Sequence, residues 1–283
     1  MPELPEMQAL AERLSGALVE RTLQEARMLG FTSLKTVSPE PAELLGHTLV
    51  SVTRRAKYLV FTFDNGLRIV AHLSQAGRLD IEEPPKVTRP RGAVARFAFG
   101  GDFPDRAILI REFGTHRKAA WWVLAPDDEG PLEGLGPEPF TADFAELIRT
   151  STSNRRLHSD LRDQHVMSGI GRGWGDDILH HAQLSPFGAL GSLSEVERER
   201  LIDAVDTVLG KALAAERTRK GGLSESSLSG RFAVHGRFGQ PCPLRCGETL
   251  ARVSFESYEM TYCPRCQTKG KILADRRLSR LLK

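Results

Sequence analysis

Tyr58-Leu59-Val60-Phe61-Thr62-Phe63, then Asp64-Asn65-Gly66, then Leu67-Arg68-Ile69-Val70-Ala71: two β-rich runs flank an Asn-Gly pair. Aromatic and β-branched residues suit a pleated, half-buried surface, and Asn-Gly tolerates the backbone of a tight reversal, so the stretch predicts a β-hairpin. Working outward, residues 48–79 stay β-rich, and further strand-like runs follow at 93–99, 107–110 and 119–123. Residues 1–125 are therefore expected to form a β-sandwich of two sheets. Ahead of it, Met7, Leu10, Ala11 and Leu14 recur at helical spacing directly after Pro5, which predicts an amphipathic first helix.

Downstream the pattern changes. Residues 126–139 are rich in Pro, Gly and acid and read as a linker. Helical spacing returns at 140–149, 154–161, 176–183 and 194–217, and residues 221–230 form a Gly- and Ser-rich connection. The expected fold class is α+β, with a β-sandwich domain (1–125), a linker (126–139), a helical domain (140–230), a finger (231–267) and a basic C-terminal extension (268–283).

The chain has 283 residues, 40% hydrophobic and 27% charged, which is ordinary globular composition with room for a sizeable core. No basic start leads into a long apolar run, and no eighteen apolar residues are consecutive, so secretion and membrane spanning lose support and a cytoplasmic location is expected. The net charge of +3 is unevenly spread: residues 231–283 carry eleven Lys or Arg against four Asp or Glu, a local +7 that leaves −4 for the rest. Such a segment either faces a polyanion, where neutralising phosphates releases counterions, or is a solvated tail.

All four cysteines lie in that basic segment. Cys242 and Cys246 are separated by three residues, Cys263 and Cys266 by two, and sixteen residues lie between the pairs. Two thiolate pairs on tight knuckles suit a structural Zn²⁺, one per chain; two disulfides are the alternative, which a reducing cytosol disfavours. Four protein ligands leave no open position, so the metal's expected role is folding a small hairpin.

In this order the pieces resemble the formamidopyrimidine-DNA glycosylase and endonuclease VIII family, from Met1 to about Gln267. Met1-Pro2-Glu3-Leu4-Pro5-Glu6 is similar to its N-terminal signature, Arg55-Ala56-Lys57 to its catalytic-lysine strand, and His72-Leu73-Ser74-Gln75-Ala76-Gly77-Arg78-Leu79 to its intercalation loop. Leu135-Gly136-Pro137-Glu138-Pro139 resembles its linker, Asp163-Gln164 with Gly169-Ile170-Gly171 its helix-two-turns-helix motif, and Gly236-Arg237-Phe238-Gly239-Gln240-Pro241-Cys242 the entry to its zinc finger. The resemblance implies a monomeric DNA-repair enzyme acting on damaged double-stranded DNA, a bifunctional glycosylase and abasic-site lyase.

It also implies roles. Removal of Met1 would leave Pro2 with a secondary amine able to attack the sugar C1′. At pH 7 about 10% of an α-amino group is unprotonated against about 0.04% of a lysine, roughly a 200-fold advantage in available nucleophile. Retention of Met1 would make that nitrogen an amide and block the mechanism. Glu3 would be the general acid and base, Lys57 would contact phosphate or supply a proton, and Glu6 would support them. An ordinary helix start would also place Pro and acids here.

Gln75, Arg111 and Phe113 match the residues that fill the gap left by an extruded base. Phe113 reads equally as a core aromatic of a strand. Three positions depart from the family pattern in the DNA-backbone clamp. Gly171 is followed by Arg172 in place of asparagine, Tyr258 stands for an arginine, and His158 for a lysine. The loop that caps 8-oxoguanine in family members is short here, Leu223 to Gly230, and Gln75 replaces the methionine often seen. Abasic sites and oxidised pyrimidines are therefore expected ahead of 8-oxoguanine. Two other classes stay open: a damage-binding relative with weak or no catalysis, and a zinc-ribbon protein with an unrelated enzymatic domain.

Overall fold

The computed structural model describes residues 2–113, 118–220, 230–255 and 258–273. Two compact units emerge, one from Met1–Gly134 with Leu213–Leu228 and one from Leu135–Ala212 with Ser229–Lys283, as far as their residues are described. The fold is α+β.

In the first unit, helix α1 (Leu4–Leu18) opens with Pro5 and a capping box in which the Glu3 N–H donates to Glu6 Oε2 at 2.9 Å. Its face of Met7, Leu10, Leu14 and Leu18 is buried, as the spacing predicts. Strands β1 (Thr22–Met28), β2 (Leu49–Arg55), β3 (Tyr58–Phe63), β4 (Arg68–His72), β5 (Gly77–Glu82), β6 (Ala93–Gly100), β7 (Arg106–Glu112) and β8 (Ala120–Leu124) make two antiparallel four-stranded sheets, ordered β1-β6-β7-β5 and β2-β3-β4-β8. Between them Phe61, Phe63, Phe97, Phe99 and Trp121 pack with the α1 face. The Trp121 indole N–H donates to Ser33 Oγ at 3.2 Å, so the largest buried ring leaves no polar atom stranded.

The β3–β4 hairpin forms where its sequence predicts, with a different loop. The Phe63 N–H donates to the Leu67 carbonyl, and of Asn65 and Gly66 only Gly66 has positive φ, at 80°. Three residues therefore make the turn, whereas a two-residue Asn-Gly turn would need positive φ at both. The Asn65 side chain accepts the Leu67 N–H at 3.1 Å and fixes it.

Inside the first sheet Arg96 and Glu82 form a bidentate pair at 3.0 and 3.2 Å, with 1% and 6% of their surfaces exposed. Removing one partner strands the other charge away from water. Glu82→Ala is expected to cost about 3–5 kcal/mol in urea unfolding of the intact chain. A loss below about 1 kcal/mol would show that solvent reaches Arg96.

In the second unit, α2 (Ala142–Thr150) is capped by the Thr141 hydroxyl, which accepts the Phe144 N–H. After it come α3 (Leu157–Arg162), α4 (Arg172–His181) and α5 (Glu195–Thr218), the last of which ends in the first unit. Their core joins Phe144, Leu161, Met167, Trp174, Ile178 and Val205. A two-stranded hairpin of β9 (Ala251–Ser254) and β10 (Glu259–Tyr262) leads to the short α6 (Pro264–Thr268). Among the described residues no helix is long and apolar enough to cross a membrane.

Candidate nucleic-acid interface and metal centre

In the first unit, Pro2, Glu3 and Glu6 are all buried, with Glu3 and Glu6 only 3% and 2% exposed. An acid in an ordinary first turn sits in water, so this burial sets the start of α1 apart. Lys57 lies in the tight β2–β3 turn rather than in a strand, because Arg55 pairs with Tyr58 and Ala56 takes φ 51°. Arg54 donates to Gln8 Oε1 at 3.1 Å and to the Ala56 carbonyl at 3.0 Å, which ties that turn to α1. Tyr58 pairs with His72, so the same sheet end carries the loop that follows β4. Burial, reinforced by the Lys57 ammonium, lowers the His72 pKa to about 4 and keeps its ring neutral at pH 7.

That loop is residues 73–76, since β5 begins at Gly77. A Cβ on Gly77 would meet the Leu73 carbonyl oxygen at 1.9 Å, so only glycine closes it. Gln75 at its tip is exposed. The Phe113 N–H donates to the Ala76 carbonyl at 3.1 Å, and Arg111 lies over the Phe113 ring at 5.0 Å while pairing with Asp80 at 2.5 Å. Gln75, Arg111 and Phe113 thus come together at one end of β5 and β7. Phe113 is 49% exposed, which removes its reading as a core aromatic.

In the second unit, Gln164 closes the turn between α3 and α4. Its amide donates to the Arg162 and Ile170 carbonyls, both at 2.8 Å, and its Oε1 accepts the Gly169 N–H at 3.0 Å. Residue 136 docks there through the Ser168 hydroxyl at 2.8 Å, and a Cβ on Gly136 would strike the Val166 carbonyl oxygen at 2.5 Å. Gly171 is the N-cap of α4 and Arg172 its first residue, four residues ahead of the expected start. The glycines at 173 and 175 hide that start from propensity; Gly173 is needed because the Phe232 ring lies 2.3 Å from where its Cβ would stand.

His158, Arg172 and Tyr258 gather as well. The His158 and Tyr258 rings stack at 6.1 Å, and the Arg172 guanidinium lies 4.7 Å from the Tyr258 ring centre. His158 is 2% exposed and its Nε2 is 3.2 Å from Asp176 Oδ1. Asp176 Oδ2 meets His235 Nδ1 at 2.6 Å and accepts the Thr261 N–H at 3.0 Å. Its neighbour Asp177 accepts the N–H groups of Ala233, Val234 and His235 at 2.6–3.0 Å, while burial pushes its pKa up. This acidic pair, which sequence reasoning passed over, fixes the approach to the finger.

The four sulfurs converge. Cys242 Sγ lies 3.8 Å from Cys266 Sγ, and Cys246 Sγ 3.6 Å from Cys263 Sγ. A Zn²⁺ with bonds of about 2.3 Å to a tetrahedron of thiolates requires sulfurs about 3.8 Å apart, which these two distances approach. Sulfurs 3.6 and 3.8 Å apart stand well beyond the roughly 2.05 Å of a disulfide bond and favour the metal over the disulfide alternative. His180, also missed in the sequence, brings Nε2 to 3.2 Å from Cys242 Sγ, where a ring N–H supports a metal-bound thiolate.

Comparisons with known proteins agree with this architecture. Residues 1–115 match the formamidopyrimidine-DNA glycosylase N-terminal domain, and residues 239–269 match the zinc finger found in FPG and IleRS. A formamidopyrimidine-DNA glycosylase of Psychromonas ingrahamii is 31% identical over 281 residues, covering 95% of this chain and 100% of the relative. A formamidopyrimidine-DNA glycosylase-like protein of Mycobacterium tuberculosis is 41% identical over 152 residues, 53% of this chain and 94% of its own. The crystal structure of Lactococcus lactis Fpg with an N7-benzyl-Fapy-dG-containing DNA shares the fold, with a TM-score of 0.81 at 23% identity over 94% of this chain and 100% of that one. The chain belongs to the formamidopyrimidine-DNA glycosylase and endonuclease VIII family, and its zinc is structural.

Proposed function

We propose that this chain is a bifunctional DNA glycosylase and abasic-site lyase that works as a monomer on damaged duplex DNA in the cytoplasm. The observation that carries the reading is the burial of Glu3 and Glu6 at 3% and 2% exposure beside Pro2. A carboxylate is kept out of water at a cost, and this burial beside Pro2 supports reading Glu3 as an acid held next to the α-amine that removal of Met1 would free. After removal of Met1, which lies outside the described residues, the Pro2 nitrogen attacks C1′ of the sugar and the base departs. Glu3 delivers a proton at the ring oxygen, and Lys57 meets the phosphate. Phe113 and Gln75 occupy the vacated stack, with Arg111 hydrogen-bonding the widowed base.

For the substrate we infer abasic sites first, oxidised pyrimidines second and 8-oxoguanine last. Residues 221–229 lie outside the described residues, so this rests on the short sequence of that segment and on the exposed polar Gln75. A loosely capped base is discriminated mainly by how easily it unstacks. In single-turnover excision on matched duplexes, an oxidised pyrimidine is expected to be released faster than 8-oxoguanine opposite cytosine. Equal rates, or a faster purine, defeat the order. The damage-binding reading draws on the replaced clamp residues at 158, 172 and 258, and it gains if processed enzyme releases no base at all.

A further inference from the structure

His180 sits in the last turn of α4 with 4% of its surface exposed, and its Nε2 lies 3.2 Å from Cys242 Sγ. The contact does more than border the metal centre. The ligand atoms of His180, Cys242, Cys263 and Cys266 all lie within 4.8 Å of one another. Three thiolates and one imidazole are as ordinary a tetrahedral zinc set as four thiolates. Bonds of about 2.3 Å to sulfur and about 2.05 Å to nitrogen set such a nitrogen about 3.6 Å from each sulfur, close to the separation found for Cys242. Cys246 is the thiolate this set does without.

The imidazole is held at that place by the seam between α4 and the finger. One turn earlier on the helix, Asp177 accepts the N–H groups of Ala233, Val234 and His235, and Asp176 accepts that of Thr261. Just beyond the helix, Gln267 Nε2 donates to the Leu184 carbonyl at 3.0 Å while its Oε1 accepts the Cys263 N–H at 2.8 Å. The finger is thus gripped on both sides of His180, and none of these ties runs through Cys246. That residue is partly exposed between the exposed Arg245 and Gly247, and its carbonyl accepts from the exposed Arg265 at 2.8 Å.

We propose that His180 is a reserve metal ligand: with Cys242, Cys263 and Cys266 it makes a second ligand set, overlapping the four-cysteine set at three sulfurs, that keeps the ion when Cys246 is lost. While all four cysteines are in place, the Nε2 proton is directed at the Cys242 thiolate. In the second set that proton sits on Nδ1 and the Nε2 lone pair faces the metal. The finger therefore tolerates the loss of one particular thiolate and of no other. The inference needs no DNA and stands apart from the glycosylase reading.

The test uses the full chain loaded with Co²⁺, whose d–d and sulfur-to-metal charge-transfer bands report its ligands, together with zinc retention against a chelator. Cys246→Ala is expected to bind one metal per chain, with d–d bands moved to shorter wavelength by the imidazole. Its charge-transfer absorbance should be about three-quarters of the wild-type value, as three thiolates for four require. Cys266→Ala, which breaks both sets, should not hold the metal under the same conditions. His180→Gln alone keeps an N–H donor for the Cys242 thiolate and should show the four-sulfur spectrum. Cys246→Ala/His180→Gln should hold zinc more than about a hundredfold less tightly than Cys246→Ala, beyond what loss of an outer hydrogen bond costs. Three results overturn the proposal: Cys246→Ala losing its metal as Cys266→Ala does, Cys266→Ala retaining it equally well, or the double variant keeping the spectrum and affinity of Cys246→Ala, which would put water in the fourth position.

Discussion

A form that retains Met1 is expected to give no covalent adduct with abasic DNA under borohydride, while the processed wild type is trapped and Pro2→Gly, whose primary α-amine still condenses to an imine, is trapped more slowly. The secondary amine of proline forms an iminium directly, and retained Met1 converts that nitrogen into an amide with no lone pair to offer. The same assay on Glu3→Gln separates nucleophile from acid. The glutamine keeps the volume in a position only 3% exposed and can still accept an N–H at the helix start, yet it cannot deliver a proton. A fall of about 10²–10⁴ in the rate of base release, with α1 still folded, is the expected result. Failure of correctly processed wild type to form any adduct would favour the damage-binding reading.

The second large effect concerns the metal. Among the described residues, the fully buried apolar side chains of the finger's two clusters are, beside its cysteines, Val234 and Leu250 in one and Val253, Met260, Tyr262 and Leu273 in the other. That is too little apolar surface to order a hairpin of this size alone. Structural zinc supplies an apparent 10–16 kcal/mol, about as much as a whole domain's stability. Chelation, or Cys263→Ser, is therefore expected to unfold the finger and abolish DNA binding while the β-sandwich keeps its unfolding transition. Metal analysis should return one zinc per chain before chelation. An absence of zinc, or retention of full binding by the metal-free chain, would overturn this account.

The parts legible in the sequence were those where a local rule coincides with the tertiary outcome. Asn65-Gly66 between two β-rich runs marks its hairpin, and the cysteine spacing marks its metal, because both are set within a few residues. β1 escaped notice for a physical reason: at the edge of its sheet beside β6 it buries only Leu23 of its seven residues, so no apolar run forms. The start of α4 was hidden by glycines whose purpose is close packing against Phe232. His180, Asp176 and Asp177 carry no signature at all. Their side-chain hydrogen-bond partners lie 56 to 85 residues away, and a lone polar residue on a helix says nothing of what it will meet. Likewise, three departures from a motif look like losses one by one, and only the contacts of Tyr258 show that they belong together.

Helix α4 carries Arg172 in its first turn and His180 in its last, with His180 against Cys242 and Arg172 against Tyr258 of the hairpin. Ten residues of α-helix make a rod of about 15 Å that does not bend appreciably. The thiolate cluster and the Arg172–Tyr258 contact are thus mounted on the same strut, so that loss of the metal would disturb both of its ends together.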